Sequence, residues 1–315
     1  MKLFRHFTDL PDDARGAVVA LGNFDGLHRG HRIVIGAAAD VAKACGAPLA
    51  VLTFEPHPRS LFRPLDAPFR LTPFRTKARH IEDLGVDLLF VIHFDTVFSN
   101  KTADEFISEV LVAGLGVSHV VAGYDFVFGH KRGGDVGLLY QKARTLGFGV
   151  TEVKPASDTE GGVFSSTRVR DLLVAGKPRE AAAVLGRPWE LEGRVEHGDQ
   201  RGRTIGFPTA NLELGEYLRP RYGVYAIQAG VDHGPNTVWT NGVANLGKRP
   251  TVDGLRELLE VHLFDFSGDL YGKHLRVRMI DFIRPEQKFE SFDALKQQIL
   301  TDAETARGIL ASRAS

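Results

Sequence analysis

Ala17-Val18-Val19-Ala20-Leu21, followed at once by Gly22-Asn23-Phe24-Asp25-Gly26-Leu27-His28-Arg29-Gly30-His31, reads as a buried strand running into a glycine-rich loop that opens a helix at about His31. An apolar, β-branched run of this length suits the middle of a parallel sheet. Glycines let the backbone close on a phosphate, and a helix N-terminus supplies oriented N–H donors. His28 and His31 flank Gly30 at the carboxyl end of the strand, where open α/β sheets place ligands. Both imidazoles are candidates to bond a nucleotide phosphate. An isolated His-x-x-His is equally well a glycine-rich turn with two solvated histidines.

Outward from this stretch, apolar runs alternate with helical periods up to about Gly176. Strands are expected at Ala17–Leu21, Pro48–Thr53, Leu88–Phe94, His119–Gly123 and Gly149–Val153, and helices near His31–Cys45, Thr102–Leu115, Asp135–Leu146 and Ser166–Ala175. This is an α/β domain with a Rossmann-like parallel sheet. After Gly186-Arg187-Pro188 the pattern becomes closely spaced strands: Trp189–Glu196, Thr209–Leu212, Gly223–Gln228, Thr237–Ala244, Leu258–Phe266 and Leu275–Ile283. These predict a small antiparallel β-barrel. Ser291–Leu310 has helical period with Ser291 as N-cap. Two domains are therefore expected, 1–186 and 187–315, which fits 315 residues against about 100–200 for one domain.

Composition narrows the partners. Lys plus Arg and Asp plus Glu are 39 each, so no net field draws nucleic acid or an anionic membrane, and a small ligand held by local donors is expected. The single cysteine, Cys45, excludes an internal disulfide and a cysteine zinc site and reads as a buried helix residue. The N-terminal residues offer no apolar stretch of signal-peptide length, and no run of about 18 apolar residues occurs, so a cytoplasmic location is expected. Oligomeric state is not legible.

Gly22–His31 resembles the HxGH signature of the nucleotidyltransferase superfamily in its longer GNFDG-x-H-x-GH form. Thr53-Phe54-Glu55-Pro56-His57-Pro58, Gly123-Tyr124-Asp125-Phe126-Val127-Phe128-Gly129 and Ser165-Ser166-Thr167-Arg168-Val169-Arg170 follow in the order found in bacterial bifunctional riboflavin kinase/FAD synthetases. In the second half, Gly198–Leu212 resembles the riboflavin kinase signature ending in GFPTAN. Arg221–Ala226, Gly242–Thr251, Glu260-Val261-His262 and Phe282–Phe289 continue the same order. With matches from about Leu21 to Arg307, the chain is identified as a member of that family.

The resemblance implies that riboflavin is phosphorylated to FMN in the second domain and that FMN is adenylylated to FAD in the first, with ATP the co-substrate of both and Mg²⁺ the metal. For adenylylation it implies ATP contacts from Gly22, Asn23, Phe24, Asp25, Gly26, His28, His31, Asp125, Ser166, Thr167 and Arg170. Ser166 or Thr167 would also serve as an ordinary helix N-cap. Phe54, Phe62 and Phe128 are candidates for isoalloxazine contacts and could equally be core. Val127 stands where arginine is frequent in the family, leaving open a riboflavin kinase whose first domain is non-catalytic. A flavin-binding or delivery protein is the reading from another class.

For phosphorylation the candidates are Gly206, Phe207, Pro208, Thr209 and Asn211 around ATP. Thr209 and Asn211, two apart on one strand face, offer oxygen ligands to Mg²⁺. A PTAN run alone is more often a turn entering a strand than a metal site. Glu260 is the candidate base for the ribityl hydroxyl, on a face shared with His262, Phe264 and Phe266. From alternation alone, Glu260 is also readable as a solvent-facing residue paired with a nearby Lys or Arg.

Overall fold

The computed structural model describes residues 1–196, 207–251 and 254–312. The chain divides into two compact units, Met1–Ala67 with Thr72–Ser165 and Pro68–Leu71 with Ser166–Ser315.

In the first unit, β1 (Lys2–Phe4), β2 (Val18–Leu21), β3 (Leu49–Glu55), β4 (Leu88–His93), β5 (His119–Gly123) and β6 (Gly149–Val153) form one sheet. Its order is β1-β4-β3-β2-β5-β6 and every pair is parallel. Strict alternation along β2 explains its all-apolar sequence. Val19 and Leu21 enter one core with Leu52, Phe90 and Val120, while Val18 and Ala20 enter the other with Val51, Leu89 and Val121. A strand buried on both faces has no polar positions to spare.

The chain runs from β2 to β3 and β4 on one side of β2, then returns to β5 on its other side. The carboxyl end of β2 is thus the topological switch point, where connections leave in opposite directions and open a crevice. Helix α1 (Arg29–Cys45) begins there and packs Val34, Ile35, Ala38 and Ala42 on the sheet. Cys45 lies in α1 but is exposed, contrary to expectation. It is the last residue of the helix, beside the left-handed Gly46 cap, and the buried stripe ends at Ala42.

Elements without a signal strong enough to predict include β1, which is three residues long, and the helices Pro58–Phe62, Phe74–Glu82 and Thr96–Ser99. The expected helix over 102–115 starts with a Thr102–Glu105 capping box and continues as π-helix from Phe106 to Gly114.

The second unit holds the helices Ser166–Val174 and Pro178–Leu185 and a closed antiparallel barrel. Its strands are β7 (Trp189–Glu196), β8 (Ala210–Glu213), β9 (Gly223–Val231), β10 (Thr240–Thr251), β11 (Gly254–Leu263) and β12 (His274–Pro285), in the order β10-β11-β8-β7-β12-β9. The terminal helix, Phe292–Ala311, is capped by Ser291, whose hydroxyl accepts from Ala294 N–H at 3.1 Å. It buries Ala303, Ala306 and Leu310 against Val224, Ala226, Val243, Phe264 and Ile280. Asp302 on this helix accepts from Arg284 Nε and Nη2 at 2.9 and 2.7 Å. Among the described residues no helix is long and apolar enough to cross a membrane.

Two expectations about strand faces change. Strand β8 begins at Ala210, so Thr209 precedes it and does not share a strand face with Asn211 by alternation. Strand β11 ends at Leu263. Phe264 is buried beneath the terminal helix, but Asp265 adopts a left-handed conformation (φ 54°), which breaks the alternation and leaves Phe266 exposed.

Candidate active sites

The loop after β2 is held in an unusual shape. Phe24 and Leu27, neither a glycine, have φ of 49° and 43°, and Gly26 has 83°. For residues with a Cβ this conformation costs roughly 1–2 kcal/mol each. Burial of both side chains in the core around α1 offsets that strain. Asp25 is buried, and its Oδ1 accepts from Thr72 N–H at 2.9 Å and from the Thr72 hydroxyl at 3.2 Å. Gly26 N–H in turn donates to Thr72 Oγ1 at 2.8 Å. Asn23, whose side chain is exposed, has its carbonyl tied by the Thr53 hydroxyl at 3.1 Å. Behind Thr53 lies the fully buried Lys77, paired with Glu55 at 2.9 Å.

This framework aims two imidazoles. His28 caps α1, its Nδ1 accepting from His31 N–H at 3.3 Å. The two rings stack with centroids 3.7 Å apart, and Phe24 meets the His31 ring edge-on at 5.2 Å. A Cβ on Gly30 would lie 3.1 Å from the His28 ring and 3.3 Å from the carbonyl oxygen of Phe164, so a side chain there would push the cap aside. Gly22 is similarly crowded, 2.9 Å from the Phe24 ring. Stacked imidazoles and the N–H groups of the first turn of α1 form a donor-rich cradle suited to phosphate. Asp125 lies in the loop after β5, the other strand at the switch point, and is exposed.

The three flavin candidates differ in setting. Phe54 and Phe128 are core rings, whereas Phe62 is 65% exposed. Phe62 leans edge-on against Phe94 at 5.8 Å, and Phe94 meets Phe54 at 5.6 Å. Of these rings, Phe62 offers free surface.

Ser166, Thr167 and Arg170 open the helix Ser166–Val174 of the second unit. Arg170 Nε donates to the carbonyl of Phe69 at 3.0 Å, and its guanidinium lies 5.7 Å from the Phe69 ring.

On the barrel, Glu260 lies directly across from Asn211 of β8 on one side and Asn245 of β10 on the other. All three therefore share one face of the wall. Their neighbours Leu259 and Val261 turn into the core. Asn211 is 8% exposed and also lies across from Glu196 of β7. His262, two residues on from Glu260, holds Nδ1 at 2.9 Å from the carbonyl of Pro208, which requires the proton on that nitrogen, and its ring is 5.0 Å from Phe207. Thus Phe207, Pro208, Asn211, Glu260 and His262 come together. Gly206, with the rest of residues 197–206, lies outside the described residues. Asn245 had no role assigned from the sequence; only the β10–β11 pairing shows it beside Glu260.

Elsewhere on the barrel, Tyr222 and Arg219 both donate to Glu257. Burial, then the bond to Glu257 and its charge, push the Tyr222 phenol up to about 12. Burial raises Glu257, but the bonds from Arg219 and Tyr222 outweigh it, and the carboxyl sits below its ordinary value. Glu192, Asp232 and His274 bring potential metal-ligand atoms within 4.8 Å of one another. Arg276, 3.7 Å from Asp232 and 2.8 Å from Glu190, supplies cationic charge there, as expected of a structural ion-pair network.

Comparison with known proteins bears on both halves. A family model described as FAD synthetase matches residues 10–168, and one described as riboflavin kinase matches residues 185–310. The bifunctional riboflavin kinase/FMN adenylyltransferase of Escherichia coli (strain K12) is 44% identical over 310 residues, 98% of this chain and 97% of that protein. The protein of the same description from Bacillus subtilis (strain 168) is 38% identical over 302 residues, 94% and 93% of the two chains. A crystal structure described as a macrolide-efflux protein from Streptococcus pneumoniae matches with TM-score 0.85 at 32% identity, covering 97% of this chain and 98% of that one. The chain belongs to the family of bifunctional riboflavin kinase/FMN adenylyltransferases.

Proposed function

We propose that the loop Gly22–His31 is the adenylyl-transfer site and that the barrel wall around Glu260 is the phosphoryl-transfer site of one flavin-making enzyme. The chain is a transferase that converts riboflavin to FMN and FMN to FAD, with ATP consumed in each step. The observation that carries the assignment of sites is the pair of built settings: stacked His28 and His31 at the switch point of the parallel sheet, and Glu260 flanked by Asn211 and Asn245. We propose that the functional boundary lies at 186/187, where the barrel strands begin at Trp189.

In the first site, an oxygen of the FMN phosphate attacks the α-phosphorus of ATP, the bond to the β-phosphate oxygen breaks, and pyrophosphate leaves. The nucleophile is already an anion, so no strong base is needed and the protein contributes position and positive charge. His28, His31 and the amides of α1 neutralise the phosphates; the motif resemblance alone supports Ser166, Thr167 and Arg170 as triphosphate ligands. Phe62 gives the isoalloxazine an aromatic surface.

In the second site, the ribityl 5′-hydroxyl of riboflavin is a poor nucleophile. Glu260 accepts its proton as the oxygen attacks the γ-phosphorus and ADP leaves. The hydroxyl of Thr209 and the carboxamide oxygen of Asn211 are hard, neutral ligands that suit Mg²⁺, and the 8% exposure of Asn211 keeps its carboxamide in a water-poor setting. Mg²⁺ held there would neutralise charge on the transferring phosphate. Supplying riboflavin with ATP and, separately, FMN with ATP tests the two assignments. FMN plus ADP is expected from the first mixture and FAD plus pyrophosphate from the second, and a failure of either removes the corresponding site.

A further inference from the structure

We propose that Thr72 is a positioning residue for adenylyl transfer: its hydroxyl latches the Asp25-Gly26 turn and thereby sets the aim of His28 and His31. The inference deepens the assignment of the Gly22–His31 loop and rests on it.

The loop enters from β2, turns through positive φ at Phe24, Gly26 and Leu27, and delivers His28 as the cap of α1. Such a path is not self-supporting, because left-handed residues other than glycine revert unless their surroundings over-determine them. Thr72, 1% exposed, supplies that determination. Its hydroxyl donates to Asp25 Oδ1 and accepts from Gly26 N–H, while its own N–H donates to the same carboxylate oxygen. One side chain thus satisfies a buried carboxylate and a buried amide two residues before the first histidine. Phe24, inside the same turn, packs edge-on against the His31 ring, so a change in the turn moves both imidazoles together. Displacing a phosphate-neutralising group by even about 1 Å costs on the order of 10²-fold in rate.

Removing the hydroxyl at constant volume tests this. In Thr72→Val, kcat/KM for FAD formation from supplied FMN is expected to fall at least about tenfold, while FMN formation from riboflavin stays within about twofold. Thr72→Ser, which keeps the hydroxyl, is expected to recover to within about threefold of wild type. The imidazole Cε1 proton resonances of His28 and His31 are expected to shift in Thr72→Val and return in Thr72→Ser. FAD formation within twofold of wild type in Thr72→Val overturns the proposal, as does Thr72→Ser as slow as Thr72→Val, or equal loss of both activities. Should Thr72→Val not accumulate as folded protein, Thr72→Ser against Thr72→Ala decides: both lack the methyl group. A serine variant at least tenfold faster upholds the latch, and equal rates overturn it. Absence of FAD formation by the wild-type chain would instead refute the site assignment itself.

Discussion

Glu260→Gln is the perturbation that most sharply separates the two chemistries. Glutamine preserves the volume and reach of the side chain between Asn211 and Asn245 but cannot accept the ribityl proton. A positioned general base contributes about 10²–10⁴-fold. At 1.36 kcal/mol per tenfold, that raises the barrel's barrier by about 3–5 kcal/mol. The fold should not notice. Glu260 is only half-buried, and the strand is anchored by Leu259 and Val261 on its other face, so the stability change is expected within about 0.5 kcal/mol. The assay follows FMN from riboflavin by chromatography at saturating ATP and Mg²⁺, with FAD formation from supplied FMN as internal control. The reasoning predicts a loss of at least a hundredfold in the first and none in the second. A Glu260→Gln protein that keeps a tenth or more of its kinase rate would refute the base assignment, and parallel loss of both activities would refute the separation of sites.

Three further outcomes are expected. Phe62→Ala removes an exposed ring that the fold does not need, so KM for FMN should rise several-fold, matching the roughly 0.5–1.5 kcal/mol of an aromatic pair, with an unchanged thermal midpoint; an unchanged KM places the flavin elsewhere. Lys77→Met removes the buried cation 2.9 Å from Glu55 and should lower the stability of the first unit by about 3–5 kcal/mol, read from its urea midpoint; a change under about 1 kcal/mol would show the pair to be dispensable. The Tyr222 phenol, raised from 10 to about 12, contributes stability fully present below pH 10 and lost as pH climbs toward 12. Urea midpoints across that window should therefore fall more for wild type than for Tyr222→Phe, and identical slopes would contradict the Tyr222–Glu257 bond.

Much of this was legible in the sequence because it is local. A strand buried on both faces leaves an uninterrupted apolar run, so β2, β3 and β5 could be read directly, and a glycine where a Cβ would strike the His28 ring marks the cradle. Helical period and the cap chemistry of Ser291 together announced the terminal helix. What escaped depends on contacts between residues far apart in the chain. Thr72 is 47 residues from Asp25, and nothing near it suggests a hydroxyl with a task. Asn245 acquires its place beside Glu260 only through strand register. Phe54 and Phe62 look alike in the sequence, yet one fills the core and the other faces solvent, because β3 carries the first inward and the short helix Pro58–Phe62 carries the second out. The face shared by Phe264 and Phe266 failed because alternation was extended through Asp265, whose left-handed backbone no period reveals.

The most direct test of two activities in one chain is a time course with purified protein, riboflavin, ATP and Mg²⁺, separating riboflavin, FMN and FAD. The account predicts that FMN rises first and FAD follows at its expense. FMN accumulating without FAD would contradict the adenylyl-transfer site, and riboflavin remaining unconverted would contradict the kinase site on the barrel.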